Sequence, residues 1–132
     1  MDFNLSEDQE MLRESAVEFA QKRLFPIAEE LDEKGATPPE LLQEIGELGY
    51  FGLMAPEEFG GLGADTLSYA LVIEEIAKAC AGISIAISVH NSLVIKAIEK
   101  YGTDSQKQEY LPKLATGEII GAYSLSDRKS VV

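Results

Sequence analysis

Ile83-Ser84-Ile85-Ala86-Ile87-Ser88-Val89-His90-Asn91-Ser92-Leu93-Val94-Ile95-Lys96-Ala97-Ile98-Glu99-Lys100-Tyr101 is the stretch on which the fold turns. Its first turns are apolar almost all round, and a helix of that kind is normally central, enclosed by its neighbours. Gly82 is expected to break the helix before it, and Gly102 to end it. The apolar run 82–98 is interrupted by Ser84, Ser88, His90, Asn91, Ser92 and Lys96. It reads as short for a bilayer, which takes about 20 apolar residues, so no membrane span is expected. The polar triplet His90-Asn91-Ser92 must be hydrogen-bonded or face a cavity. A satisfied core histidine is the plain reading, and a ligand-lining face is the other.

Capping signals place further helices around this one. Ser6 with Gln9 forms an S-x-x-Q capping box. Behind it Leu12, Ala16, Phe19, Ala20, Leu24, Ile27 and Leu31 recur at helical spacing, with Pro26 set to kink or split the helix and Gly35 to end it. Thr37-Pro38-Pro39-Glu40 reads as a second capping box ahead of Leu41, Leu42, Ile45 and Leu48, with Gly49 suited to the C′ position. Residues 50–65 read as an ordered loop. Their Gly60-Gly61-Leu62-Gly63 lacks the lysine and spacing of a phosphate loop. Asp65 or Thr66 caps a helix carrying Leu67, Ala70, Leu71, Glu74, Ile76 and Ala77. Thr103-Asp104-Ser105-Gln106 is a third capping box, before Tyr110, Leu111 and Leu114. After Gly117, Ile119-Ile120-Gly121-Ala122-Tyr123-Ser124-Leu125 looks extended. The expected fold is therefore all-α, an orthogonal or up-down bundle of five to six helices with a stray C-terminal strand.

Composition excludes several kinds of chemistry. The formal net charge is −12, from 23 acidic and 11 basic residues in 132. Such a surface repels phosphate backbones and anionic lipid, so no nucleic-acid partner is expected. Hydrophobic residues make up 45% and charged residues 26%, as in an ordinary globular chain. One cysteine, Cys80, and one histidine, His90, rule out an intrachain disulfide, a cysteine zinc site and any multi-histidine metal site. Glu74-Glu75 lacks the Glu-x-x-His companions of a di-iron bundle. No Ser/His/Asp or Cys/His constellation can be assembled. The catalytic set is thus expected to be empty, and so is the metal set. The acidic start, with no basic and apolar leader, makes the cytoplasm the expected location.

Several stretches together resemble the acyl-CoA dehydrogenase family, nearest to its short-chain, butyryl-CoA-type members. They are the opening Met1-Asp2-Phe3-Asn4-Leu5-Ser6-Glu7-Asp8-Gln9, then residues 47–63 with their Pro56-Glu57-Glu58-Phe59-Gly60-Gly61-Leu62-Gly63 core, and Ser88-Val89-His90-Asn91-Ser92-Leu93. Tyr101-Gly102-Thr103-Asp104-Ser105-Gln106-Lys107-Gln108-Glu109-Tyr110-Leu111-Pro112 and the run 117–126 complete the set. The likeness is co-linear from residue 1 to about 127.

The resemblance implies an N-terminal helical domain at 1–118, the start of the first strand of a middle β-domain at 119–127, and a divergent tail at 128–132. It implies FAD as the cofactor and α,β-dehydrogenation of an acyl-CoA thioester, with an electron-transfer protein as redox partner. By position, Tyr123, Leu125 and Ser126 match residues near the flavin, with Ser126 standing where the family usually has threonine. Ile85, Val89, His90 and Leu93 match positions along the acyl end of the substrate pocket. After Asp127 the family's Pro-Gly-x-Gly-Ser-Asp loop is replaced by Arg128-Lys129-Ser130-Val131-Val132. The family's catalytic glutamate and most of its FAD contacts match no residue here. The expectation is a truncated N-terminal fragment, inactive alone. The other expectations are a helical interaction module that self-associates as a homo-oligomer, and a pocket that binds acyl chains without chemistry.

Overall fold

A computed structural model describes residues 4–124. These residues form five continuous helical stretches and no strand. The first stretch joins α1 (Glu7–Phe19) to α2 (Ala28–Lys34) through a π turn, Ala20–Leu24, and a 3-10 turn, Phe25–Ile27. Pro26 lies at that junction, where its missing N–H and its ring unsettle the α-helical ladder. Then come α3 (Pro39–Glu47), α4 (Thr66–Ala79), and a long helix made of α5 (Ala81–Val89), a π segment (His90–Ile95) and α6 (Lys96–Tyr101). The last stretch is α7 (Asp104–Thr116).

Two of the three expected capping boxes form. Ser6 and Gln9 exchange side-chain and backbone bonds at the start of α1, and Thr103 and Gln106 do the same at α7. The one at Thr37 does not form. The N-cap of α3 is Pro38, which has no hydroxyl, and no side chain caps the helix. Pro39 does occupy the first turn, and Gly49 follows the C-cap with φ 78°. Asp65 caps α4, its Oδ1 accepting from the Ser68 N–H at 2.7 Å. Its Oδ2 accepts from Gln9 Nε2 at 2.9 Å, which ties the beginnings of α1 and α4 together.

The break before the central helix falls at Cys80, whose extended backbone (φ −151°, ψ 105°) separates α4 from α5. Gly82 lies inside the first turn of α5 and breaks nothing. The central helix therefore runs Ala81–Tyr101, 21 residues, and by length and composition alone is apolar enough to cross a membrane. That corrects the expectation of a run too short to do so. Here one side of it is occupied by contacts with α4, the Tyr50–Gly52 turn and α7. The buried side of α4 is Ser68, Val72 and Ile76, whereas Leu67 is exposed.

Two apolar clusters hold the helices together. The larger joins α1, α3, α4 and α5 around Phe19, Leu24, Ile45, Tyr50, Phe51, Val72, Ile76 and Ile87. The smaller sets Ala55, Phe59 and Ile95 against Leu111, Leu114 and Ala115 of α7. Each large side chain so buried contributes about 1.5–3 kcal/mol. Close approach depends on Gly52: a Cβ there would stand 2.7 Å from the Ala115 carbonyl oxygen, so only glycine lets the turn lie against α7.

The expected strand at 119–125 is not present in its described part, 119–124. A strand needs a neighbouring strand to pair its backbone, and none exists among the described residues. The segment is tied to helices instead. Ile119 N–H donates to the Lys113 carbonyl at 3.3 Å, and Gly121 N–H donates to His90.

Candidate functional site

The central helix carries Ile85, Val89, His90 and Leu93, the residues matched to the acyl end of the pocket, and it sorts them onto two sides. Ile85 and Val89 stand one turn apart, and Leu93 follows four residues later through the π segment. Ile85 is 61% exposed, Leu93 41% exposed and Val89 half-buried. They make a strip of apolar surface.

His90 is not on that strip. Consecutive helical residues point about 100° apart, and His90 is fully buried on the inward side. Its Nδ1 accepts the Gly121 N–H at 3.0 Å, and its Nε2 lies 2.9 Å from the Leu114 carbonyl oxygen. A nitrogen that accepts carries no proton, so the proton sits on Nε2 and is donated to Leu114. The Phe51 ring packs on the imidazole, with centroids 4.9 Å apart. Burial holds the His90 pKa below the ordinary histidine value, only partly offset by the Leu114 carbonyl.

Asn91 is buried beside it. Its Oδ1 accepts from the Met54 N–H at 3.0 Å, and its Nδ2 donates to the Tyr50 carbonyl at 2.8 Å and to Ile87 at 3.0 Å. One amide thereby bonds both ends of the turn 50–54, whose Gly52 and Leu53 carbonyls accept from the Leu62 and Ala64 amides. Ser92 Oγ donates to the Ser88 carbonyl at 2.7 Å. Side chains that enter the i→i−4 ladder in this way loosen it, in keeping with the π segment His90–Ile95. No buried side-chain polar atom among the described residues is left without a partner. The triplet is thus hydrogen-bonded throughout.

Tyr123 is 52% exposed. Leu125 and Ser126 lie outside the described residues. The Gly60-Gly61-Leu62-Gly63 loop is no anion cradle. Its amides already donate to the carbonyls of Glu57, Pro56, Gly52 and Ala55. Among the described residues there is no group of three or more potential metal ligands. Sequence reading missed the roles of Phe51, Leu114 and Gly121. A ring and two backbone groups gathered around His90 leave no spacing signal.

An all-α domain with a buried polar pair on one side of its central helix and an apolar strip on the other is the class the geometry defines. The family pattern described as acyl-CoA dehydrogenase, N-terminal domain, matches residues 6–118. The chain belongs to that family.

Among curated relatives it is 43% identical over 127 residues to the short-chain specific acyl-CoA dehydrogenase of Clostridium acetobutylicum, covering 96% of this chain and 34% of that protein. Among solved structures it superposes on butyryl-CoA dehydrogenase from Megasphaera elsdenii with a TM-score of 0.90 at 38% identity, over 98% of this chain and 35% of that one. A glutaryl-CoA dehydrogenase from Mycobacterium smegmatis, solved in complex with FADH2, matches with a TM-score of 0.82 at 34% identity, over 88% of this chain and 30% of that one. The chain spans about a third of the length of the relatives it matches.

Proposed function

We propose that this chain is the N-terminal helical domain of an FAD-dependent acyl-CoA dehydrogenase of the short-chain type, and that its outward strip of Ile85, Val89 and Leu93 forms one wall of the acyl pocket. The observation that carries the reading is the family match over residues 6–118. Apolar side chains left at the surface of a domain mark a place meant to be covered, and an acyl chain is an apolar occupant. Tyr123, Leu125 and Ser126 belong to the margin of the flavin site, where bound FAD would accept the hydride from the substrate.

His90 serves this wall from behind, as a fixed and neutral core residue. The 132 residues alone hold too little of the site to retain flavin or to dehydrogenate. An electron-transfer protein as redox partner and a homo-oligomeric assembly belong to the same proposal. So does a cytoplasmic location, which the free Cys80 thiol suits.

The test has two arms. The isolated chain is incubated with excess FAD and desalted; no visible flavin band is expected to remain. The same residues are then exchanged for the matching third of the Clostridium acetobutylicum enzyme. That chimera is expected to bind flavin and to oxidise butyryl-CoA. A chimera that is folded and flavin-loaded but inert toward every acyl-CoA contradicts the reading. Stoichiometric flavin on the isolated chain contradicts its inactive part.

A further inference from the structure

One contact of His90 reaches outside the five helices, to the segment after α7. It joins the middle of the central helix to residues that have already left the helical bundle. Three observations meet there. The Gly121 N–H donates to Nδ1 of a fully buried imidazole at 3.0 Å. The other ring nitrogen is fixed by the Leu114 carbonyl, three residues before the left-handed Gly117 that turns the chain out of α7. Gly121 also lies so close to the central helix that a Cβ would stand 2.5 Å from Val94 Cγ1, with the other Val94 carbons at 2.9 Å. A β-branched side chain cannot easily give way, so the seat admits glycine alone.

We propose that His90 is a positioning residue: its ring clamps Gly121 onto Val94 and the end of α7, and thereby fixes the direction in which residues 119–124 leave the helical domain toward the cofactor side. The direction matters because Tyr123 is the first of the residues matched to the flavin margin, so the inference rests on the functional reading above. The Ile119 N–H on the Lys113 carbonyl ties the start of the exit, and the bond at Gly121 ties it two residues further on. Only neutral His90, with Nδ1 bare, accepts that second bond. A proton on Nδ1 would face the Gly121 N–H donor to donor, and the clamp would open.

The titratable residues on the elements packed around the ring are Tyr50 in the Tyr50–Gly52 turn and Asp104, Lys107, Glu109, Tyr110 and Lys113 on α7. Lys96, Glu99, Lys100 and Tyr101 follow on its own helix, Tyr69, Glu74, Glu75 and Lys78 lie on α4, and Glu118 and Tyr123 lie in the exit segment. Both bonds of the imidazole go to backbone groups. Burial, which the Phe51 ring completes, keeps it neutral.

Amide hydrogen exchange on the isolated chain tests the clamp without flavin or substrate. The wild type, His90→Gln and His90→Leu are compared. Glutamine keeps an acceptor and a donor, whereas leucine keeps only bulk. Gly121 is expected to be protected in the wild type and in His90→Gln. In His90→Leu its protection should fall by about tenfold, while the Leu111 and Leu114 amides keep theirs. Equal protection of Gly121 in the wild type and His90→Leu overturns the proposal.

Should His90→Leu fail to fold, the wild type decides the matter by a pH series. Gly121 protection, corrected for intrinsic rate, is expected to drop on acidification ahead of Leu114. If the two fall together, His90 does no separate positioning and the proposal is wrong. Failure here leaves the chimera result untouched, and an inert chimera leaves the clamp untouched, so the two claims can fail separately.

Discussion

The two sides of the helix Ala81–Tyr101 differ in an unexpected way: among the buried Ile83, Ile87 and Ile95 the inward side also carries a polar pair, and the outward side carries apolar residues. Its polar residues His90 and Asn91 are completely buried, while its apolar Ile85 and Leu93 face outward. Each side departs from the default in which polar groups meet water, and each departure has a physical reason. The inward pair serves backbone that has no secondary-structure partner: the 50–54 turn through Asn91, and the exit of α7 through His90. On the outward strip Ile85 and Leu93 stay exposed and Val89 half-buried. A buried polar side chain is therefore weak evidence for a ligand when its bonds are all accounted for. An exposed apolar strip on a core helix is the better sign of something to be covered.

The comparison can be broken most severely at Asn91. Leucine there keeps the branched skeleton but strands the Met54 N–H and the Tyr50 carbonyl. Asn91→Leu is expected to lower stability by about 3 kcal/mol, read from the urea midpoint at constant slope. A midpoint within error of the wild type would mean that the inward side does not organise the turn.

Acidification should give the next largest effect. His90 is held below its unfolded pKa by burial, so its folded form binds a proton less readily than the unfolded chain. The stability it contributes is whole above the ordinary histidine value of about 6.5 and is lost as pH falls through the folded pKa. Urea midpoints at successive pH values should decline over that window, and His90→Gln should remove the His90 part of the decline. A decline unchanged in His90→Gln would assign the whole of it to the carboxylates.

Tyr50→Phe deletes the hydroxyl that bonds Ser15 Oγ at 2.7 Å while leaving the ring against Phe19. A loss of about 1 kcal/mol is expected from thermal unfolding. Ile85→Ser and Leu93→Ser should be the mildest, within about 0.5 kcal/mol of the wild type in the isolated chain, because neither side chain fills the core. A loss as large as that of Asn91→Leu would show the outward strip to be structural after all.

Much of this arrangement was legible beforehand. Capping chemistry is local, so Ser6 with Gln9 and Thr103 with Gln106 located their helix starts correctly. The same rule failed at Thr37, because consecutive prolines placed Pro38 itself at the N-cap. The apolar run marked the central helix, but its start was misjudged. Gly82 fits within a helical first turn, and the break came from the extended backbone at Cys80. The extended look of 119–125 rested on β-favouring residues, and propensity yields when no strand is available to pair.

At the site, likeness to the family named Ile85, Val89, His90 and Leu93 together, and the helix exposes Ile85 and Leu93, half-buries Val89 and buries His90. That likeness says nothing of which way each side chain faces. The true partners of His90 are backbone groups from residues 24 and 31 positions away. No short-range pattern could have announced them.

The most direct test of the division between the two sides is steady-state turnover of a chain-length series of acyl-CoAs by the chimera described above, with and without Ile85→Ser and Leu93→Ser. The account predicts unchanged flavin content and a kcat/KM reduced roughly tenfold, mostly through KM and most for the longer chains, about what losing one or two buried methylenes' worth of contact entails. Turnover that is indifferent to both substitutions at every chain length would contradict it, and would leave the outward strip a surface for something other than the acyl chain.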